Sequence, residues 1–493
     1  MSAHIERLPE ELLLHILTFL DTPPPSELKL GQEPTLRLTA SDEQTYKAIS
    51  SISKRWRRLV LPLLFKHTRL RLDDAPRKHW SMCSVCTAKA LRSRLQGGEP
   101  FQPTGVIDQY HLDMLEDAAT FATKARLSAH VPRVLDGPAG DPVLGNFLTW
   151  SSRFYHSLRD FLDFLHQQDL ASSVQSFVLM TAQMLPEKLA RFPHLAAVDR
   201  DWRYKAAAAF WQHLLSVVDL ERVVILAPPI DLACLTNCAI DTFGDWAFGD
   251  MDYHILDLRL SNSGHQRPLR ELEKPVQYSS LQYMPHRYPG LAGSSILNLR
   301  PWSHIGINEG AFLKAYGTYE YFERGPPSLI YSIKDSLSPR PIFSPHARIS
   351  HVPLASLRSL TYTGIFPFAN HLDFRELLPQ LEELDMQLAP EPASNILNER
   401  ERVGKAQLED CWRELTSIYQ GLASLLATFR ISERNMPRLK KFVCRDSKIP
   451  ALLEELDEVF MPLCLPVWVE REPGAFTRQA MSAEGNASTE ASR

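Results

Sequence analysis

No stretch of this chain reaches the roughly eighteen apolar residues that a membrane helix needs, and its start lacks the basic flank and apolar core of a secretory signal. Cysteine is sparse. Seven cysteines over 493 residues make no disulfide framework, a usage that fits reducing surroundings, so an intracellular chain is expected, cytoplasmic and/or nuclear, with no membrane partner. Charge of one sign is not in excess: 54 Lys+Arg against 58 Asp+Glu give a net charge of -4, which offers no overall field for a nucleic-acid backbone. Catalytic fingerprints are missing as well. There is no G-x-S-x-G, no H-E-x-x-H, no Walker A loop and no G-x-G-x-x-G in a strand-turn-helix context, so no enzyme and no cofactor are expected. Cys83 and Cys86 form a C-x-x-C, with His79 and His111 as conceivable further ligands, but no second close pair accompanies them and no metal is expected there. The carboxylates Asp241, Asp245, Asp250 and Asp252, around Phe243 to Tyr253, lack the alternation and terminal Glu of a calcium loop and read as a solvated loop.

What is present is a composition of 44% hydrophobic and 23% charged residues, enough for more than one hydrophobic core. The first seventy residues carry the clearest patterning. In L8-P9-E10-E11-L12-L13-L14-H15-I16-L17-T18-F19-L20, Pro9 suits a first helical position and Glu10 and Glu11 favour the positive helix end. Leu12, Ile16 and Leu20 recur every four residues, and Leu13 and Leu17 widen that stripe. A second helix is expected from Ser41, with Gln44 completing a capping box, Pro62 limiting it, and Ile49, Ile52, Trp56 and Leu59 on its buried side. Lys54, Arg55, Arg57 and Arg58 form its wet rim. Between the helices, Pro23, Pro24, Pro25 and Pro34 alternate with polar residues, which reads as an outward excursion, the alternative being that Leu28, Leu30, Leu36 and Leu38 make a local apolar patch that belongs to the fold.

The segment from about Ile5 to His67 resembles an F-box of fungal proteins, on the L8-P9-E10-E11-L12 opening, the K54-R55-W56-R57-R58-L59 segment and the L61-P62-L63-L64-F65 that follows. The gap from Asp21 to about Asp42 is longer than that family usually has. The resemblance implies a helical module, residues 5–67 with an insertion at about 21–41, that binds a Skp-type adaptor and through it a cullin-RING ubiquitin ligase. It also implies that the rest of the chain holds a protein substrate, with Leu8, Pro9, Leu12, Ile16, Trp56 and Leu59 as the adaptor-binding residues. The other reading is a repeat-based interaction scaffold without ligase engagement.

Residues 72–145 read as a linker or irregular layer with one helix around His111 to Leu127. From 146 to 470 an α/β domain is expected. Phe154, Leu158, Phe161, Leu162 and Leu165 mark a helix leading into V174-Q-S-F177-V-L179, and a helix from about Trp202 to Val217 leads into L220-E-R-V223-V-I225-L226. Further apolar segments occur at Ile255–Leu260, Ile296–Leu299, Leu357–Tyr362, Leu381–Leu388 and Leu439–Cys444. Several have the L-x-x-L-x-L shape that opens a leucine-rich repeat, with irregular spacing, so the expected fold is an irregular leucine-rich-repeat-like solenoid behind a small helical F-box. Leu384, Met386 and Leu388 should then point inward and Asp385 and Gln387 to the other face, in strands parallel to those near Leu360 and Phe442. Arg259, Tyr362 and Asp385 are candidate partner contacts on that second face, and the substrate residues are otherwise unassigned. A helix is expected around Lys405 to Ser424, and residues 478–493 have the composition of a frayed tail.

Overall fold

The computed structural model describes residues 7–41, 45–72, 157–182, 207–238, 253–261, 295–318, 325–337, 354–428, 438–460 and 468–478, with a few single positions besides. The C-x-x-C at Cys83, most of the Asp-rich segment near Phe243, the helix expected at His111 and the tail beyond Arg478 lie outside them.

The chain begins with a small helical module. Helix α1 (Glu10–Thr18) starts after Pro9 and carries Glu10 and Glu11 in its first turn. The expected second helix is two: α2 (Thr45–Ser50) and α3 (Lys54–Leu64). The break falls at Ser53, an extended residue whose side chain accepts a bond from the Trp56 amide, so a new N-cap ends one helix and opens the next. Pro62 does not limit α3, which runs on to Leu64.

Everything else is organised by one open, mostly parallel sheet of ten strands. Strands β1 (His67–Arg71), β2 (Ser176–Met180), β3 (Arg222–Ala227), β4 (His254–Arg259), β5 (His304–Ala311), β6 (Ser359–Ile365), β7 (Glu383–Gln387) and β8 (Lys441–Cys444) lie side by side in chain order. The hairpin of β9 (Trp468–Glu472) and β10 (Ala475–Arg478) closes the row, β10 antiparallel to β8. Only β4 is reversed among the first eight, antiparallel to both β3 and β5. The segment Ile296–Leu299, expected as a strand, is a helical turn, because Ser295 caps the Leu297 amide and its three apolar residues bury together.

Strand alternation divides the sheet into two faces. One carries Phe177, Leu179, Val223, Ile225, Leu256, Leu258, Ile305, Ile307, Leu360, Tyr362, Leu384, Met386 and Phe442, all part of the main hydrophobic core. Helical residues 157–167 and 207–217, α4 (Pro229–Thr236), α5 (Leu329–Leu337) and α6 (Leu408–Thr428) supply the opposing side. As expected, Leu384, Met386 and Leu388 are buried, and β7 pairs in parallel with β6 at Leu360 and with β8 at Phe442. Asp446 ties this end together from below: its carboxylate accepts from the Leu388 and Ala389 amides and from the Tyr419 hydroxyl. Burial nevertheless pushes its pKa up to about 6.

Candidate functional sites: an exposed helical face and a strapped sheet face

The helical module has a core of its own, separate from the sheet. Leu13, Leu17, Trp56, Leu59 and Val60 meet inside it, with Leu8, Tyr46, Ile49, Leu63 and Leu64 packed around them. Polar ties hold the helices in register: Arg55 Nη2 donates to the Leu8 carbonyl at 2.7 Å, Tyr46 Oη donates to the Leu17 carbonyl at 3.0 Å, and Glu10 pairs with Arg58. Leu13 and Leu17 are the inward stripe of α1. The other stripe, Leu12, Ile16 and Leu20, stays in solvent together with Leu14 and Phe19, the last 77% exposed. Ile52, expected inside, is 61% exposed because the helix break at Ser51–Ser53 turns it outward. Of the residues expected to bind an adaptor, Leu12, Ile16 and Pro9 are exposed and Leu8 is half-buried. Trp56 and Leu59 are buried at 8% and 5%, so they hold the module together from within rather than present a surface. Among the described residues, this apolar face has no cover although the module's core is complete.

The second site is the other face of the sheet. The segment between α1 and α2, expected to loop outward, instead lies across it. After a helical turn at Pro25–Leu28, the chain runs along the face, and Leu38 inserts among Val178, Met180, Val224, Leu226 and Ile255, with Leu30 and Leu36 beside it. Asn308 Nδ2 donates to the carbonyls of Leu30 and Gln32 at 2.8 and 2.7 Å. Arg222 Nη2 donates to the Ser26 carbonyl at 3.2 Å, Arg259 Nη1 to Glu27 Oε1 at 3.2 Å, and Glu33 pairs with Arg402. Glycines mark the close approach. A Cβ on Gly306 would stand 3.5 Å from Leu30 Cδ2, and Gly310, at φ +74°, lies under Pro34.

Beneath Glu27 sits a buried charged triad. Asp257, with no side-chain exposure, accepts from Arg222 Nε at 2.7 Å and from Arg259 Nε at 2.8 Å. Arg222 Nη1 is buried without a hydrogen bond, its nearest carboxylate oxygen being Glu27 Oε2 at 3.9 Å. His304 adjoins this group, and burial lowers its pKa to about 4, so it stays neutral there. Of the candidate partner contacts, Arg259 and Asp385 are on this face, Asp385 paired with Arg445 at 2.6 Å. Tyr362 is not: it points into the main core, where its hydroxyl donates to Glu309 Oε2 at 2.8 Å.

That core pocket of polarity is fully buried. His371 Nε2 lies 3.4 Å from Glu309 Oε2, and neither its ring nor that of His254 makes a hydrogen bond. Burial raises Glu309 to about 7, lowers His254 to about 3, and lowers His371 as well, so neutral forms are favoured throughout. Among the described residues no group of three or more His, Cys, Asp and Glu is placed to hold a metal ion.

A signal for the covered face existed in the sequence. Strands β2 and β3 are buried at every position, on both sides, whereas β7 alternates. An unbroken apolar strand implies cover on both faces, and among the described residues the cover for the second one comes from 26–40, with Tyr253 beside it. Comparison of the chain with known protein families, with characterised proteins and with solved structures gives no match in any of the three.

Proposed function

We propose that this chain is a non-catalytic substrate-recruiting subunit of a Skp/cullin/F-box ubiquitin ligase. It docks on a Skp-type adaptor through α1 and the turn after α2, and holds a protein substrate on the sheet-bearing remainder. The observation that carries the reading is the exposed row Leu12, Ile16, Phe19 and Leu20 with Ile52, on a module whose core is already complete. Among the described residues nothing covers those side chains, and an external protein surface is the use we assign them. The order of β1 to β8, each beside its predecessor, supports a degenerate leucine-rich-repeat-like region, with the reversal of β4 as its main departure. In this role the chain contributes proximity: tethering a substrate raises the effective concentration of its lysines near the transferred ubiquitin.

The test is capture of the adaptor by the purified full chain. Leu12→Asp combined with Ile16→Asp places two charges on an exposed face and spares the inner stripe, so helicity and the thermal transition should stay as they are. Capture should fall by about a hundredfold or more, the loss expected when interface anchors are replaced. Undiminished capture by the folded variant would remove this surface from the interface, and no capture by the unaltered chain would leave a scaffold without ligase engagement.

A further inference from the structure

We propose that residues 24–40 are a displaceable strap, and that the sheet face beneath binds a peptide segment of a partner protein, carrying a carboxylate and spaced leucines, in the strap's place. The inference deepens the substrate-holding part of the proposed function, but it concerns only the sheet and stands whether or not the helices engage an adaptor.

Three features separate the strap from an integral layer. Its backbone-to-backbone hydrogen bonds are internal: Glu27 and Leu28 donate to Pro24, Lys29 to Pro25, Gln32 to Lys29, Leu38 to Thr35 and Ala40 to Arg37. Lys29 Nζ closes the return by donating to the carbonyls of Arg37 and Ala40. The strap is therefore self-contained and adds no strand to the sheet. Second, the polar groups by which the sheet holds it recognise main-chain carbonyls and a carboxylate rather than one particular sequence. Asn308 and Arg222 donate to main-chain carbonyls, and Arg259 takes a carboxylate. Third, its ion pairs, Glu27 with Arg259 near its start and Glu33 with Arg402 near its middle, are partly open to solvent on both partners.

What the strap covers is built for a ligand of one chemistry. Arg222 and Arg259 share the single carboxylate of Asp257, which leaves one positive charge in excess at a site where Arg222 is 7% exposed. Glu27 neutralises it from above, but only by one hydrogen bond, to Arg259, while Arg222 Nη1 has none. A better-placed carboxylate could bond both guanidinium groups. Alongside, Val178, Met180, Val224, Leu226 and Ile255 form an apolar trough that a leucine fills. Gly306 and Gly310 keep the floor low enough for a backbone to pass. A segment with an acid followed by leucines at the strap's spacing, able to take up the same turns, matches these contacts.

The experiment uses the full chain in which residues 24–40 are replaced by a Gly/Ser linker of equal length, with a fluorescent synthetic peptide of residues 24–40 as probe. The linker variant should bind the probe, and the unaltered chain should not at the same concentrations. A probe with Glu27→Gln should bind about tenfold more weakly, through loss of the charge-assisted contact. A probe keeping only Glu27, Leu30, Leu36 and Leu38, the rest serine, should bind within a few-fold of the first. A folded linker variant that takes up no probe overturns the proposal, as does one that no longer folds, since the strap is then core. An independent measurement uses Leu38→Cys in the otherwise unaltered chain. Strap opening should let a maleimide label that position at least roughly a hundredfold faster than the buried Cys234, without global unfolding. Labelling of the two at the same rate would show that the strap leaves only when the fold does.

Discussion

Asp257→Ala should be among the most damaging single substitutions on the sheet's second face, and its cost can be worked from the triad. Asp257 has no exposure and its single carboxylate is shared by two arginines, one of them buried. Its removal leaves Arg222 over an apolar floor with two hydrogen bonds lost, at Nε and Nη2, and with Nη1 still unbonded. Breaking a buried pair from one side costs about 3 to 5 kcal/mol. Glu27, 43% exposed and 3.9 Å from Nη1, is too far and too wet to recover more than a fraction of that. The companion variant Arg222→Met with Asp257→Leu removes both charges. Since hydrophobic replacement of a buried pair is often neutral, most of the loss should return, to within about 1 to 2 kcal/mol of the original. The residual cost is the Ser26 carbonyl, deprived of its donor, and an Arg259 left with Glu27 alone. The assay is chemical denaturation followed by the fluorescence of the buried Trp211 and Trp302, with the midpoint and slope fitted for each variant. A loss below about 1 kcal/mol for Asp257→Ala would refute the reasoning, and so would a double variant no better than the single one, because the penalty would then not be an unpaired charge.

Leu384→Asp should destabilise the sheet domain severely, by about 4 kcal/mol or more, because Leu384 sits 1% exposed between β6 and β8 with no partner for a carboxylate. The same denaturation series measures it, and the helical module, with its separate core, should stay folded and keep whatever adaptor capture the unaltered chain shows. The pH dependence of stability should carry two opposed contributions. His254 has a folded pKa of about 3, below its unfolded value, so its contribution is present above about pH 6.5 and is lost as pH falls towards 3. His254→Leu should flatten that acid-side loss. Glu309 is raised to about 7, so the folded state holds its proton longer and stability drops as pH rises from about 4.5 to 7. Glu309→Gln should remove this drop, and denaturation midpoints from pH 4 to 8 that keep the unaltered slope would refute either assignment.

The parts of the fold that could be read from sequence are those where one face is buried and the other wet. In Leu381–Leu388 the alternation of Leu384 and Met386 with Asp385 fixes strand, face and neighbours together, and all three are as expected. Helix α1 was legible as a helix but not in its orientation. Its two apolar stripes, Leu13/Leu17 and Leu12/Ile16/Leu20, stand about 100° apart around the axis, and periodicity alone does not say which one meets Trp56, Leu59 and Val60. The inward choice falls to the stripe that leaves Glu10 beside Arg55 and Arg58. Capping chemistry misled once: the pattern from Ser41 to Leu59 has one helical period, but Ser53 offers its side chain to the Trp56 amide, and the local cap wins over continuation.

Residues 24–40 were misjudged for a different reason, which lies in what composition measures. Proline and polar residues reduce the segment's own ability to bury surface, and that is all they report. Whether such a segment lies down depends on what it meets, and here the partners are residues far along the chain: Arg222, Asn308 and the trough around Val224. The trough is the decisive term. Five side chains, Val178, Met180, Val224, Leu226 and Ile255, would otherwise face water, and at about 1.5 kcal/mol or more for each side chain of this size the sheet gains several kcal/mol from any cover at all. A demand of that size selects for apolarity and reach rather than for a particular sequence. A segment with a few spaced leucines satisfies it, and so would a similar segment of another protein. The length that makes the gap unusual is therefore the length needed to leave α1, cross to β5, and return over β2 in time to begin α2.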